Sequence, residues 1–293
     1  ETSSVYGEEI ANPTFSLIEG YTLAKNGSLD DLNVNFLVSA SVNDNVGNYD
    51  IVLVDGYNNN YTIICENGSY LVTPREIEIV IDDVVCTYGD TLKDLTFSLA
   101  DNSTLASNDN IDDLNISLTT DAETNVNAGG YDIYLENYSN KNYSIKSNIA
   151  TYKIEPKSIR IEILDQSSEY GNILNGLYFS LSEGYTLPYN DRVADLNVEL
   201  STTATSTSDV RVEGYEIIMS GYNNRNYIID YVSGTYTITP RNIVIDITNK
   251  SEFYHNEHNL DNIAWSLVPG YEIVEGDNLI ISLEINLDIN SDA

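Results

Sequence analysis

In 293 residues the chain carries two cysteines, one methionine, one tryptophan and six prolines. Two thiols cannot staple a chain of this length, so apolar cores must hold it together. No apolar run reaches the ~18 residues of a membrane-spanning helix, and no signal peptide heads the sequence. The chain therefore reads as a mature or excised piece of a longer protein. Basic residues are scarce: 13 Lys and Arg face 46 Asp and Glu, a formal net charge of -33. A surface this negative repels nucleic-acid phosphates and anionic lipid, which excludes both as partners, while it attracts cations loosely. No nucleophile–base pair or carboxylate set recurs in a form that chemistry could use, so no catalytic residue is assigned and the chain does not read as an enzyme.

What is present is a packable composition, 42% hydrophobic, with 23 tyrosines and many Asn, Ser and Thr residues. That mixture suits strands joined by polar turns. It is also periodic. Pro74, Pro156 and Pro240 stand 82 and then 84 residues apart, each followed by an Ile-x-Ile pattern: Ile77-Glu78-Ile79, Ile159-Arg160-Ile161 and Ile243-Val244-Ile245. In the same phase run Tyr6-Gly7, Tyr88-Gly89, Tyr170-Gly171 and the altered Tyr254-His255. Further markers keep step. They are Phe15, Phe97, Phe179 and Trp265, the triplets Asp31-Leu32-Asn33, Asp113-Leu114-Asn115 and Asp195-Leu196-Asn197, and Tyr49, Tyr131 and Tyr215. So many markers in one phase define a repeat of about 83 residues. The boundaries fall at 1–73 (lacking its first strand), 74–155, 156–239 and 240–293 (truncated).

Within each repeat the hydrophobic period is two, the mark of strands buried on one face. Ile77, Ile79 and Ile81 alternate with Glu78, Val80 and Asp82. Leu114, Ile116 and Leu118 predict another strand, as do Tyr131, Ile133 and Leu135. Tyr143 and Ile145 are expected to pair with Tyr152 and Ile154 in a hairpin across Ser147-Asn148. Glu66-Asn67-Gly68-Ser69 reads as the same hairpin turn in the first repeat. About six or seven strands per repeat and no helix predict an all-β fold of tandem, small Ig-like β-sandwiches. One proline, with no Gly/Ser linker, separates consecutive repeats, which predicts an elongated rod.

Together these markers resemble the MBG domains (mostly-β, glycine-rich, YGX type). The resemblance rests on Pro-x-x-Ile-x-Ile, a Tyr-Gly about fourteen residues on, Asp-Leu before a middle strand, Gly-x-Tyr-x-Ile, Asn-Tyr-x-Ile and a closing Tyr-x-Ile-x-Pro. It spans the whole chain as four units. It implies tandem arrays in large bacterial surface proteins and adhesins, a stalk or spacer role, and no catalytic residues.

Four constellations invite a functional reading. His255-Asn256-Glu257-His258 gathers the only two imidazoles, but in a loop and without helical spacing, so it reads as a solvated turn and no metal site is assigned. Asp30-Asp31, Asp82-Asp83, Asp109 with Asp112-Asp113, and Asp191 with Asp195 leave Ca²⁺ as a weak possibility, since no EF-hand spacing is present; Val42-Asn43-Asp44-Asn45 reads as a turn. The tyrosines are assigned to cores and tyrosine corners, with the turn positions Tyr57, Tyr138 and Tyr222 as exposed exceptions available for sugar stacking. Cys65 and Cys86 sit in unrelated phases and are expected as buried thiols, not a disulfide. Lys153 lies on a strand beside inward-facing neighbours and is not expected to form an isopeptide bond. Ca²⁺ apart, no cofactor is expected.

The leading expectation is a structural stalk of an extracellular, cell-surface or wall-attached adhesin or fibre. Its nearest partners are the neighbouring repeats, and a distant tip would meet a host or neighbouring-cell surface. A self-assembling surface-layer or filament subunit is the alternative, followed by a carbohydrate- or protein-binding module.

Overall fold

The computed structural model describes residues 2–124, 126–247, 264–282 and 284. Among them there is no α-helix; the chain is all-β, with three single 3-10 turns. It divides into two compact units, Glu1–Lys157 and Ser158–Ala293, and each sheet draws its strands from one repeat.

In the first unit β1 (Thr2–Val5), β2 (Val34–Val38), β3 (Gly47–Gly56) and β4 (Gly68–Thr73) form one four-stranded sheet ordered β1-β4-β3-β2. The next repeat supplies β5 (Arg75–Ile81), β6 (Val84–Thr87), β7 (Phe97–Leu99), β8 (Ile116–Thr120), β9 (Gly129–Tyr138), β10 (Tyr143–Ser147) and β11 (Ala150–Glu155). These make a three-stranded sheet, β10-β5-β7, and a four-stranded sheet, β6-β11-β9-β8. The second unit repeats the scheme with β12 (Lys157–Ile163), β13 (Gln166–Glu169), β14 (Phe179–Leu181), β15 (Val198–Thr202), β16 (Tyr215–Tyr222), β17 (Tyr227–Val232) and β18 (Gly234–Thr239). Their orders are β14-β12-β17 and β13-β18-β16-β15. Two further strands, β19 (Ile245–Ile247) and β20 (Trp265–Leu267), pair antiparallel.

The period of two is realised as drawn from sequence. Ile77, Ile79 and Ile81 are buried at 3%, 0% and 2% exposure, so β5 turns a full isoleucine face inward. Ile159, Ile161 and Ile163 on β12 do the same. In the third repeat Ile163 packs on Tyr215, Ile217, Tyr236 and Ile238 of the facing sheet, which places the core between the two layers. Each such side chain removed from water contributes about 1.5–3 kcal/mol before entropy is counted. Pairing is mixed. β10 runs parallel to β5 and β11 parallel to β6, whereas β9 is antiparallel to both β8 and β11. Where the outer strands β2, β8 and β15 pair with β3, β9 and β16, the register shifts at Asn35/Phe36, Ser117/Leu118 and Glu199/Leu200, which leaves Val54, Glu136 and Ser220 as the extra residues. Such bulges blunt exposed sheet edges against stray pairing.

Two local expectations are corrected. Leu114 and Leu196 do not open a strand. They end the 3-10 turns Ile111–Leu114 and Val193–Leu196, as Leu32 ends Leu29–Leu32. The aspartate before each leucine holds the turn. Asp31, Asp113 and Asp195 accept the amide protons of Ser28, Asn110 and Arg192 at 2.8, 2.7 and 2.7 Å. The asparagine after it, Asn33, Asn115 or Asn197, takes φ of 43°, 49° or 50°, a left-handed geometry asparagine tolerates, and redirects the chain into β2, β8 or β15. Leu114 and Leu196 are fully buried, so apolar placement alone could not separate a turn from a strand.

The second correction concerns the predicted hairpins. β10 pairs with β5 in one sheet, and β11 pairs with β6 and β9 in the other, so Ser147-Asn148 is an arch between layers. Tyr143, Ile145, Tyr152 and Ile154 are all buried because they line opposite layers of one core. Asn148 fixes the arch: its side chain accepts from the Ile81 amide at 2.7 Å and donates to the Ile81 carbonyl at 3.1 Å. In the first repeat Glu66-Asn67-Gly68-Ser69 is likewise no hairpin; Gly68 opens β4, and residues 61–65 are not in a strand.

Candidate functional site: the locked junction between repeats

Thr73 ends β4 and Arg75 begins β5, so one proline alone separates two sheets of successive repeats. Proline fixes φ and holds the preceding residue extended, which removes slack from the crossing. The Tyr-Gly marker sits beside it. Tyr6 and Gly7 occupy the centre of a turn closed by the Glu8 amide on the Val5 carbonyl at 3.0 Å, with Gly7 at φ 79°. Gly89 and Gly171, in the same phase, take φ 94° and 83°. Only glycine adopts such angles without strain.

The first repeat uses this turn to grip the second. The Tyr6 amide bonds the Thr73 carbonyl at 2.9 Å, and Arg75 Nε donates to the Tyr6 carbonyl at 3.0 Å. The Tyr6 ring meets Tyr143 edge-on, with centroids 5.6 Å apart and planes at 80°. Asp109 lies between the two phenols, accepting from Tyr143 at 2.6 Å and from Tyr6 at 3.4 Å. Asn142 closes the other side. Its side-chain oxygen accepts the Val46 amide at 3.0 Å, its Nδ2 reaches Asn45 at 2.8 Å, and its carbonyl receives the Arg75 amide at 2.9 Å. Within the second unit the same phase recurs: Tyr170 donates to Asp277 at 3.0 Å, and its amide bonds the Thr239 carbonyl at 2.9 Å.

Burial is the main cause that raises the Tyr6 and Tyr143 phenols above their ordinary value, with the Asp109 carboxylate adding to it. Tyr152, buried against Cys86, is raised as well. A phenol is neutral when protonated, so a folded-state pKa above the unfolded one favours folding while the proton is held. That contribution is complete below about pH 10 and is lost as pH climbs through the raised values. A spectrophotometric tyrosine titration is therefore expected to show a late step that appears only with alkaline unfolding. Tyr143→Phe is expected to shrink that step by the share of one phenol.

Most sequence-predicted candidates are braces. Asp83 accepts the Thr151 amide at 2.7 Å, a bond that Asp165, its counterpart one repeat on, makes to the Thr235 amide at 2.7 Å, and Asp82 accepts the Thr96 hydroxyl at 2.7 Å. Asp30 lies in the first turn that Asp31 caps, as Asp112 does beside Asp113. Asp191 accepts the Tyr227 hydroxyl at 2.5 Å. Asp44 accepts the Ser41 amide at 2.7 Å in the expected turn, and Asn45 belongs to the junction. Among the described residues no three His, Cys, Asp or Glu side chains gather as a metal site. His255 and His258 lie outside the described residues. Lys153 is exposed and pairs with Glu155 at 2.8 Å.

The tyrosines split as the phase suggests. Tyr70, Tyr152 and Tyr236 are fully buried, and their hydroxyls accept the amides of Ala11, Lys93 and Asn175 at 2.8, 2.7 and 2.7 Å. Tyr49, Tyr131 and Tyr215 form corners on the carbonyls of Asn45, Asn127 and Asp209. Tyr57 and Tyr222 are exposed and Tyr138 is half-buried; Tyr21 and Tyr178 are exposed too, without having been singled out. Both thiols are free, but only Cys86 is buried. Cys65 is exposed, because the segment that carries it is not in a sheet. What sequence reasoning missed is that Tyr6, Gly7, Asp109, Asn142 and Tyr143 form one site. The available signal was their shared phase on either side of each proline.

No helix among the described residues is long and apolar enough to cross a membrane. No curated protein matches the chain. The family model of the MBG domain (YGX type) matches three stretches in tandem, residues 1–71, 77–153 and 159–237. These matches cover most of the chain, and each contains one Tyr-Gly pair, Tyr6-Gly7, Tyr88-Gly89 or Tyr170-Gly171. The chain belongs to the MBG domain family of YGX type.

Proposed function

We propose that this chain is a spacer region of a bacterial surface protein, a stalk that carries a binding tip away from the cell. The observation that carries this reading is the junction of the first two repeats, where one proline and the Tyr6–Asp109–Tyr143 cluster join consecutive sheets without a flexible linker. Tandem domains of this family are typical of surface proteins, and a junction closed by side chains from both partners resists bending. Each sheet draws its strands from one repeat, so length is added by copying the unit. The acidic surface, with 46 Asp and Glu, keeps such an array solvated and separate from anionic envelopes.

Small-angle X-ray scattering tests the reading. With strands of about seven residues at ~3.3 Å each plus end loops, a monomer is expected to scatter as a rod on the order of 120 Å long. Asp109→Ala is expected to broaden the distance distribution by loosening one junction. A profile of a compact globule would remove the stalk reading.

A further inference from the structure

In the second repeat the opening stretch, 75–87, runs parallel to the closing stretch, 143–155, and one register holds throughout. β5 pairs with β10 from Tyr143↔Arg75 to Ser147↔Ile79, and β6 pairs with β11 from Tyr152↔Val84 to Glu155↔Thr87. Every partner stands 68 positions on, the same spacing as between Asp83 and Thr151. Both stretches pass from one sheet to the other at the same level, where the backbone ladder is interrupted. Side chains bridge that gap. Asn148 accepts from the Ile81 amide at 2.7 Å and donates to the Ile81 carbonyl at 3.1 Å, and Asp83 accepts the Thr151 amide at 2.7 Å. The third repeat is built alike. β12 lies beside β17, β13 runs parallel to β18 from Gln166↔Tyr236 to Glu169↔Thr239, and Asp165 accepts the Thr235 amide at 2.7 Å.

We infer that each of these two repeats is a tension-bearing clamp, in which load crosses from one end of the repeat to the other through the parallel pair. Pro74 joins the N-terminal end of 75–87 and Pro156 the C-terminal end of 143–155, so chain tension reaches the pair at its opposite ends. In a parallel pair those two pulls point in opposite directions along the strands. They slide one stretch past the other, so the evenly spaced rungs and the Asn148 and Asp83 bridges resist together. Antiparallel terminal strands would be pulled at one shared end and would open one rung at a time. The core adds to the resistance. Ile77, Ile79, Ile81 and Ile154 are buried, and a slip of one residue would turn such a face toward solvent. Residues 88–142, which include β7, β8 and β9, carry no load while the pair holds. A spacer needs length alone, whereas this arrangement supplies strength along the chain, so neither property depends on the other.

The test holds the full chain at constant force by handles at its two ends. Opening of the second or third repeat is expected as a single step of about 250 Å, from ~3.6 Å per freed residue less the span of the folded pair. Asn148→Ala is expected to shorten the lifetime of one such step at least about fivefold, the effect of two hydrogen bonds lost from the loaded pair. Tyr131→Phe removes the bond to the Asn127 carbonyl, inside 88–142. It is expected to lower the stability of the unloaded repeat and to leave every lifetime under load unchanged. A second arm leaves the pair itself intact. One handle is attached through Thr91→Cys, an exposed position just past β6, in a chain that also carries Cys65→Ser, and the other handle stays at the C-terminus. β6 and β11 are then pulled from the same end, and one step is expected at a load that the end-to-end geometry withstands. Equal lifetimes in the two geometries, an unchanged lifetime in Asn148→Ala, or lifetimes that Tyr131→Phe shortens as much as Asn148→Ala does would overturn the clamp.

Discussion

Ile79→Ala is expected to destabilise the second repeat by about 3 kcal/mol or more, within the range measured for isoleucine truncated in a closed core. Ile79 is fully buried at the centre of β5. It lies opposite Leu99 of β7 on one side and Ser147 of β10 on the other. Neither neighbour can collapse into the space, because both strands are held by the sheet, so a cavity remains. The adjacent residue supplies the control. Val80 points outward with 41% of its surface exposed, and Val80→Ala is expected to cost under about 1 kcal/mol, the scale of strand preference alone. A chain of several domains does not unfold in one step, so a single midpoint would blur the difference. Native-state hydrogen exchange at residues 75–81 resolves it by residue. Equal losses for the two variants would mean that the isoleucine face is not the core.

The regularity that makes Ile79 predictable also marks how far the sequence could be read. Strand faces were legible because burial on one side imposes a period of two, and Ile77, Ile79 and Ile81 follow it as do Ile159, Ile161 and Ile163, whereas in the third copy of the pattern Ile247 is 45% exposed. The Asp-Leu-Asn triplet was visible as a repeat but not as a turn, because a fully buried Leu114 obeys the same polarity rule on a strand or a 3-10 turn. Only the left-handed Asn115 and the Asp113 cap distinguish them, and both are facts of backbone geometry. The arch at Asn148 escaped for a related reason. Two inward-facing strands joined by a short turn read as a hairpin, and sequence does not say that they belong to different layers. Cys65 was misplaced because a free thiol reads as a small buried apolar group, whereas residues 61–67 around it are not in a strand and leave it exposed. The junction was the least legible feature of all. Tyr6 and Tyr143 are 137 residues apart in sequence, and nothing local to either points to the other. Phase was the only link between them.

Gly7→Ala is expected to cost about 3 kcal/mol and to uncouple the first repeat from the second, and two separate effects make up that figure. The first is conformational. Gly7 has φ 79°, where a Cβ meets the following carbonyl at roughly 1–2 kcal/mol. The second is steric. A Cβ built on Gly7 falls 2.5 Å from the Cβ of Ala106 in the next repeat, and neither atom has a rotamer with which to escape. The backbone must therefore part, which breaks the approach that lets Arg75 reach the Tyr6 carbonyl at 3.0 Å. Gly20 separates the two effects, since it has φ 93° but nothing within 4 Å of a built Cβ. Gly20→Ala is expected to show the conformational cost alone, about 1 kcal/mol. The pair Gly7→Ala with Ala106→Gly then forms a double-mutant cycle in which the second change makes room for the first. A coupling energy of about 1–3 kcal/mol, read from native-state hydrogen exchange at residues 75–81, would locate the clash between these two atoms. Additive losses would instead assign Gly7 to its turn alone, and the family's glycine marker would then be a matter of backbone shape without any part in joining one repeat to the next.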